Sequence, residues 1–151
     1  MAQATKQRLD AMAVADSLRP TLLRLGRELR QEKIAGVSPH QVALLIAIKY
    51  TPGVTVGHLA AEERVSTAAM SKRVSRLERD GLVARTQSEA DRRCVGLTLT
   101  EDGQRTLRRV RSRRTAWLAS RLGALTPAEL AAVGAAADSL ARLVERDEVR
   151  A

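Results

Sequence analysis

The chain has 151 residues, with 26 Lys and Arg against 17 Asp and Glu and a formal net charge of +9. That length suits one ordinary domain and disfavours a typical two-domain enzyme, and the charge favours anionic partners without choosing among DNA, RNA and acidic lipid. One Trp, one Tyr and no Phe weigh against the several-ring platform on which single-stranded nucleic acid stacks.

From Leu9 to Lys33, apolar residues at Met12, Leu18, Leu22, Leu23, Leu25 and Leu29 recur at broadly helical spacing, which predicts a long amphipathic helix that Pro20 either bends or begins. Lys6, Arg8 and Asp10 interrupt the stretch before it, so neither a signal peptide nor a membrane span is expected there. Ser38-Pro39-His40-Gln41 is a capping box with proline at the first helical position, and predicts a second helix that runs through Val42–Ile48 and stops before Pro52-Gly53. Thr55 caps a short third helix, about 56–62. Ser66 caps a fourth over 67–79, which ends ahead of Gly81. Leu82–Thr86 and the alternating Cys94–Leu99 read as two strands of a hairpin around a charged tip. Thr100 then caps a long fifth helix, and Thr126-Pro127-Ala128-Glu129 opens a last one that reaches about Glu145. The predicted fold class is mainly α with a small β-hairpin wing.

The fourth helix carries the functional signal. Met70, Val74 and Leu77 fall at i, i+4 and i+7 on one face. Away from them lie Ser66, Thr67, Ala68, Ser71, Lys72, Ser75, Arg76 and Arg79, small and polar at the start and cationic later. A helix that enters a duplex major groove about 12 Å wide, walled by phosphates, needs such a face. Taken alone, it is also what the solvated side of any amphipathic helix looks like. The short capped helix before it and the basic hairpin after it turn the pattern into a winged helix-turn-helix. In the hairpin tip, Asp91 can fix the direction of a guanidinium, Arg93 can enter a narrow minor groove, and Arg92 can meet a phosphate.

Asp91-Arg92-Arg93, followed by Leu97-Thr98-Leu99-Thr100 and Gly103, resembles the wing-to-helix signature of the multiple antibiotic resistance regulator (MarR) family. Met70 through Leu77-Glu78-Arg79-Asp80-Gly81-Leu82-Val83 resembles that family's recognition helix and the glycine turn behind it. The resemblance implies a sequence-specific regulator of double-stranded DNA, more often a repressor. It implies a homodimer on a pseudopalindromic operator whose half-sites lie about 34–36 Å apart. It also implies a winged lobe over 37–100 within a single MarR-like domain, and dimerisation helices over 1–36 and 101–151. A small aromatic or phenolic anion that releases the DNA belongs to the same expectation, with Tyr50 and Trp117 as pocket candidates. The apolar residues Leu107, Val110, Trp117, Leu118, Leu122, Leu130, Val133, Leu140 and Leu143 exceed what a small winged domain needs for itself, which independently favours a partner.

The remaining residues of note carry weaker signals. The cluster Arg105, Arg108, Arg109, Arg111, Arg113 and Arg114 reads as a solvated or paired face with some phosphate contacts. The lone Cys94 forms no internal disulfide, fits a reducing cytoplasm, and has only its neighbours Arg92 and Arg93 to favour a redox role. His40 and His58 are too isolated to bind a metal. No cofactor, membrane contact or catalytic constellation is implied, and a cytoplasmic, nucleoid-associated protein is expected. The competing readings are a sequence-neutral DNA binder and a winged-helix module for ligands or proteins.

Overall fold

The structure is a computed structural model that describes residues 2–32, 36–87 and 95–148. Among the described residues it has six helices and one antiparallel hairpin: α1 Ala2–Gln31, α2 Pro39–Tyr50, α3 Val56–Glu62, α4 Thr67–Arg79, β1 Val83–Gln87, β2 Val95–Leu99, α5 Glu101–Leu122 and α6 Pro127–Glu148. The chain divides into two compact units, 1–114 and 115–151.

The core of the first unit is apolar and continuous. Leu44, Leu45 and Ile48 from α2, Leu59 from α3, Met70, Val74 and Leu77 from α4, Leu97 from β2, and Leu107 and Val110 from α5 all lie within it. Burying each large aliphatic side chain contributes about 1.5–3 kcal/mol. The last two residues correct the sequence reading: Leu107 and Val110 are used inside the unit and are not spare surface. α1 continues through Pro20, and its Met12, Leu22 and Leu23 are exposed. It begins earlier in the chain than apolar spacing predicted, because the Ala, Lys and Gln residues of its first turns favour helix without marking a face.

The cap residues bond as their chemistry requires. The Ser38 N–H donates to Gln41 Oε1 at 2.9 Å and the Gln41 N–H to Ser38 Oγ at 3.3 Å. The same Gln41 amide donates to Asp80 Oδ2 at 3.2 Å, which ties the start of α2 to the end of α4. Gly81, at φ +73°, makes the turn out of α4. Thr100 then fastens α5 to that turn. Its hydroxyl donates to the Gly81 carbonyl at 2.6 Å and accepts from the Gly103 N–H at 3.0 Å, while its own N–H donates to the Leu82 carbonyl at 3.2 Å. Thr100→Val keeps the shape and removes both hydroxyl bonds. It is expected to cost about 1–2 kcal/mol in urea unfolding, with no change in m value.

The hairpin pairs Val83 with Leu99 through Gln87 with Val95. Its second strand is not cleanly two-sided, since Gly96 and Leu97 are both buried. Gly96 backs onto the α2–α3 loop, where a Cβ would stand 2.6 Å from the Gly53 carbonyl oxygen. Val54 there forms a bridge with Leu97, with Gly53 N–H to Leu97 O and Leu97 N–H to Val54 O both at 2.9 Å. The base of the hairpin is thereby anchored to the helix-turn-helix.

In the second unit, Thr126 and Glu129 close the box that opens α6. The Thr126 N–H donates to Glu129 Oε2 at 2.8 Å and the Thr126 hydroxyl at 2.7 Å. Those two bonds hold the Glu129 carboxyl below the ordinary carboxylate range, the backbone bond contributing most. Leu130, Val133, Leu143 and Val144 of α6 are exposed.

Candidate nucleic-acid interface

Three consecutive pieces build the site: α3 as the supporting helix, α4 as the reading helix, and the hairpin behind it. Thr55 Oγ1 accepts from the His58 N–H at 3.2 Å and Ser66 Oγ from the Ala69 N–H at 3.2 Å, so both helices start where the hydroxyls stand. Met70, Val74 and Leu77 are fully covered and fix the roll of α4 about its axis. With that roll fixed, helical geometry puts Ala68, Lys72, Ser75 and Arg79 opposite the core and Arg76 beside them.

Of the predicted reading residues, Ala68, Lys72, Ser75, Arg76 and Arg79 fall on this outer side, Ser71 lies on its flank, and Ser66 and Thr67 stand at the helix start. Thr67, Ala68, Lys72, Arg76 and Arg79 are exposed, whereas Ser71 and Ser75 are half-buried. Ser66 is exposed, but its oxygen is engaged in the cap. Arg73, which the pattern reading passed over, is exposed as well. It lies only two positions from Ser71 and Ser75 in sequence, yet on the opposite flank, so counting residues by polarity alone did not set it apart. The single acidic residue of α4 is neutralised from behind, because Arg85 Nε of β1 donates to Glu78 Oε1 at 2.9 Å and both side chains are partly covered. The outward side of α4 presents Lys72, Arg76 and Arg79 with no carboxylate among them.

The turn between α3 and α4 holds a second feature that the sequence reading missed. Glu63 closes α3, the Arg64 N–H donates to Ala61 O at 3.2 Å and the Val65 N–H to Ala60 O at 3.0 Å, which is the Schellman pattern of a helix end. The residue at its left-handed position is Arg64, at φ +53°, the only non-glycine with positive φ among the described residues. For a residue with a Cβ this conformation costs about 1–2 kcal/mol. The clue in the sequence was the brevity of the segment between Glu62 and Ser66, too short to reverse direction without one left-handed residue and containing no glycine.

Asp91, Arg92 and Arg93, expected at the wing tip, and Cys94 after them lie outside the described residues. Of the arginines that crowd α5, Arg108, Arg109, Arg111 and Arg113 are exposed, and Arg105 pairs with Asp102 one turn earlier. His58 Nε2 sits 3.2 Å from Glu62 Oε1 on α3, and no group of three or more potential metal ligands occurs among the described residues. Tyr50 is 77% exposed at the end of α2. Trp117 is half-buried, and the Arg121 guanidinium stands 3.5 Å over its ring.

Supporting helix, capped reading helix and hairpin, in that order, define a winged helix-turn-helix. The profile of the MarR family matches residues 35–93. The transcriptional repressor MdtR of Bacillus subtilis strain 168 is 33% identical over 113 residues, which cover 75% of this chain and 73% of MdtR. Among solved structures, a Pseudomonas aeruginosa PA01 protein regarded as a transcriptional regulator is 31% identical, with a TM-score of 0.71 over 89% of this chain and 96% of its own. The regulator Tm0710 of Thermotoga maritima is 26% identical, with a TM-score of 0.75 over 90% and 96%. The chain belongs to the MarR family, whose members are DNA-binding transcriptional regulators and not enzymes.

Proposed function

We propose that the protein is a homodimeric repressor that reads a pseudopalindromic operator, with α4 in the major groove and the 91–93 tip in the minor groove. The observation that carries this reading is the outward side of α4, where Lys72, Arg76 and Arg79 follow the small residue Ala68, with Thr67 exposed at the helix start and the only acidic residue of the helix paired away. Small residues at the leading end admit base edges closely, and cations behind them meet phosphates. In this reading Ser66, Thr67, Ala68, Ser71 and Ser75 contact or line base edges, and Arg92 and Arg93 act from the wing with Asp91 orienting them.

The repressing direction rests on MdtR, which is named a repressor. Dimerisation rests on exposed apolar residues of α1 (Met12, Leu22, Leu23) and of α6 (Leu130, Val133, Leu143). Such surface is unfavourable in water unless a partner covers it. No helix among the described residues is long and apolar enough to cross a membrane, which suits the proposed cytoplasmic, nucleoid-associated protein. Release by a small aromatic anion is part of the same proposal, with the stacked Trp117–Arg121 pair of the second unit offering a ring and a cation. Such an anion acts only through tighter binding to the DNA-incompetent geometry.

Selection from random duplexes with the purified protein tests the reading. The expected result is an inverted repeat bound at least ~10³-fold more tightly than a scrambled duplex. Equal binding of all duplexes with a steep salt slope would make the protein a general DNA coater, and no binding would favour an interaction module.

A further inference from the structure

We infer that Arg64 is a DNA-phosphate contact, held in a left-handed backbone position so that its guanidinium reaches the lip of the groove that α4 enters. The inference rests on the DNA-binding reading above and adds to it a residue outside both the reading helix and the wing.

Three features of this turn converge. The first is the choice of residue. At Gly36, Gly53 and Gly81, where positive φ is also required, the chain uses glycine, which adopts it freely. At position 64 it uses a long cationic side chain, although glycine would complete the same Schellman bonds without steric conflict. Nothing in the packing explains that choice, since Arg64 is exposed and forms no ion pair or side-chain hydrogen bond among the described residues.

The second observation is position. Arg64 stands two residues before Ser66, the cap of α4, at the end of the helix that goes deepest into the groove. Phosphates flank the groove on both sides, and a side chain leaving the turn there meets the backbone and not the bases.

The third is local charge. Glu62 and Glu63 immediately precede Arg64. Glu62 Oε1 lies 3.2 Å from His58 Nε2, and the corner as a whole would repel a phosphate if it carried no permanent cation of its own. A guanidinium at position 64 offsets the carboxylates at the point where the duplex must approach, and it is always charged.

The test separates the side chain from the backbone. Wild type, Arg64→Gly, Arg64→Gln and Arg64→Lys are titrated against a fluorescent duplex of mixed sequence between about 50 and 200 mM salt, and their thermal midpoints are measured in parallel. Arg64→Gly is expected to raise the midpoint by ~2–4 °C while weakening binding about fivefold at low salt and lowering the salt slope by about one per protomer. Arg64→Gln keeps the strained backbone and should show the same loss of slope without the gain in midpoint. Arg64→Lys should retain most of the slope. Unchanged affinity and slope in the Gly and Gln variants would overturn the inference while leaving the DNA-binding reading intact. A wild type that binds no duplex would overturn both.

Discussion

Gly103→Ala is expected to be among the most damaging single substitutions in the chain, although it exchanges glycine for the best helix former inside a helix. On propensity alone the change gains about 0.8–1 kcal/mol. The packing reverses the sign. An alanine Cβ at position 103 would collide with the Leu82 carbonyl oxygen and stand 3.1 Å from its carbon, and both are backbone atoms that cannot rotate away. The start of α5 would have to recede. That movement breaks the Thr100–Leu82 and Thr100–Gly81 bonds and uncovers Leu82, Leu107 and Val110, which are now 8%, 9% and 3% exposed. Overpacking of this kind typically costs 1–3 kcal/mol, and the loss of the bonded turn brings the expected total to about 3 kcal/mol or more. Urea unfolding at one fixed protein concentration checks it, since assembly would otherwise shift the midpoint. Gly57→Ala is the control: the new Cβ meets only Thr55 Oγ1, at 3.9 Å, and stability should stay within about 1 kcal/mol of wild type. A Gly103→Ala protein as stable as that control would mean that α5 does not sit on the Leu82 turn.

The same glycine shows what kind of information the sequence carried openly. Element ends were legible because their chemistry is local: Ser38, Thr55, Ser66, Thr100 and Thr126 each supply a hydroxyl where a helix must begin, and Gly81 supplies the positive φ where α4 ends. α3 and α4 accordingly begin and end where the caps predict. The apolar face of α4 was legible for a similar reason, since three residues at i, i+4 and i+7 point one way whatever they pack against.

What the pattern left hidden was tertiary. That Gly96 is small because the Gly53 carbonyl lies against it, and that Gly103 is small because Leu82 does, depends on residues about forty and twenty positions away. Leu107 and Val110 read as surplus apolar surface for the same reason, because no periodicity reveals that the helix-turn-helix supplies their cover. Arg64 was hidden differently: left-handed turns are read from Gly and Asn, and a cation there breaks the expected vocabulary. Places where a local rule is broken without a packing gain are where function concentrates, and the turn before α4 is such a place.

Lys72→Glu is the substitution expected to harm DNA binding most while leaving the fold unchanged. Lys72 lies opposite the Met70–Val74–Leu77 face and is exposed, so its side chain contributes nothing to the core. Surface changes of this sort alter stability by no more than about 0.5 kcal/mol. In the groove the effect is large for two reasons. On the proposed reading the variant loses one phosphate-directed cation from each recognition helix, and it places a carboxylate where walls of phosphate would stand on both sides. Arg76, one turn on, offsets part of that repulsion but is itself drawn toward the new carboxylate and away from DNA. The expected loss is about 10²-fold in affinity, or ~2.7 kcal/mol, with a shallower salt slope, measured by titration of a duplex at two salt concentrations. Lys72→Ala, which removes the cation without adding repulsion, should fall between the variant and wild type. If Lys72→Glu instead bound as wild type does, α4 would not be the element that enters the groove. The basic character of the chain would then have to act through α5, where Arg108, Arg109, Arg111 and Arg113 are also exposed.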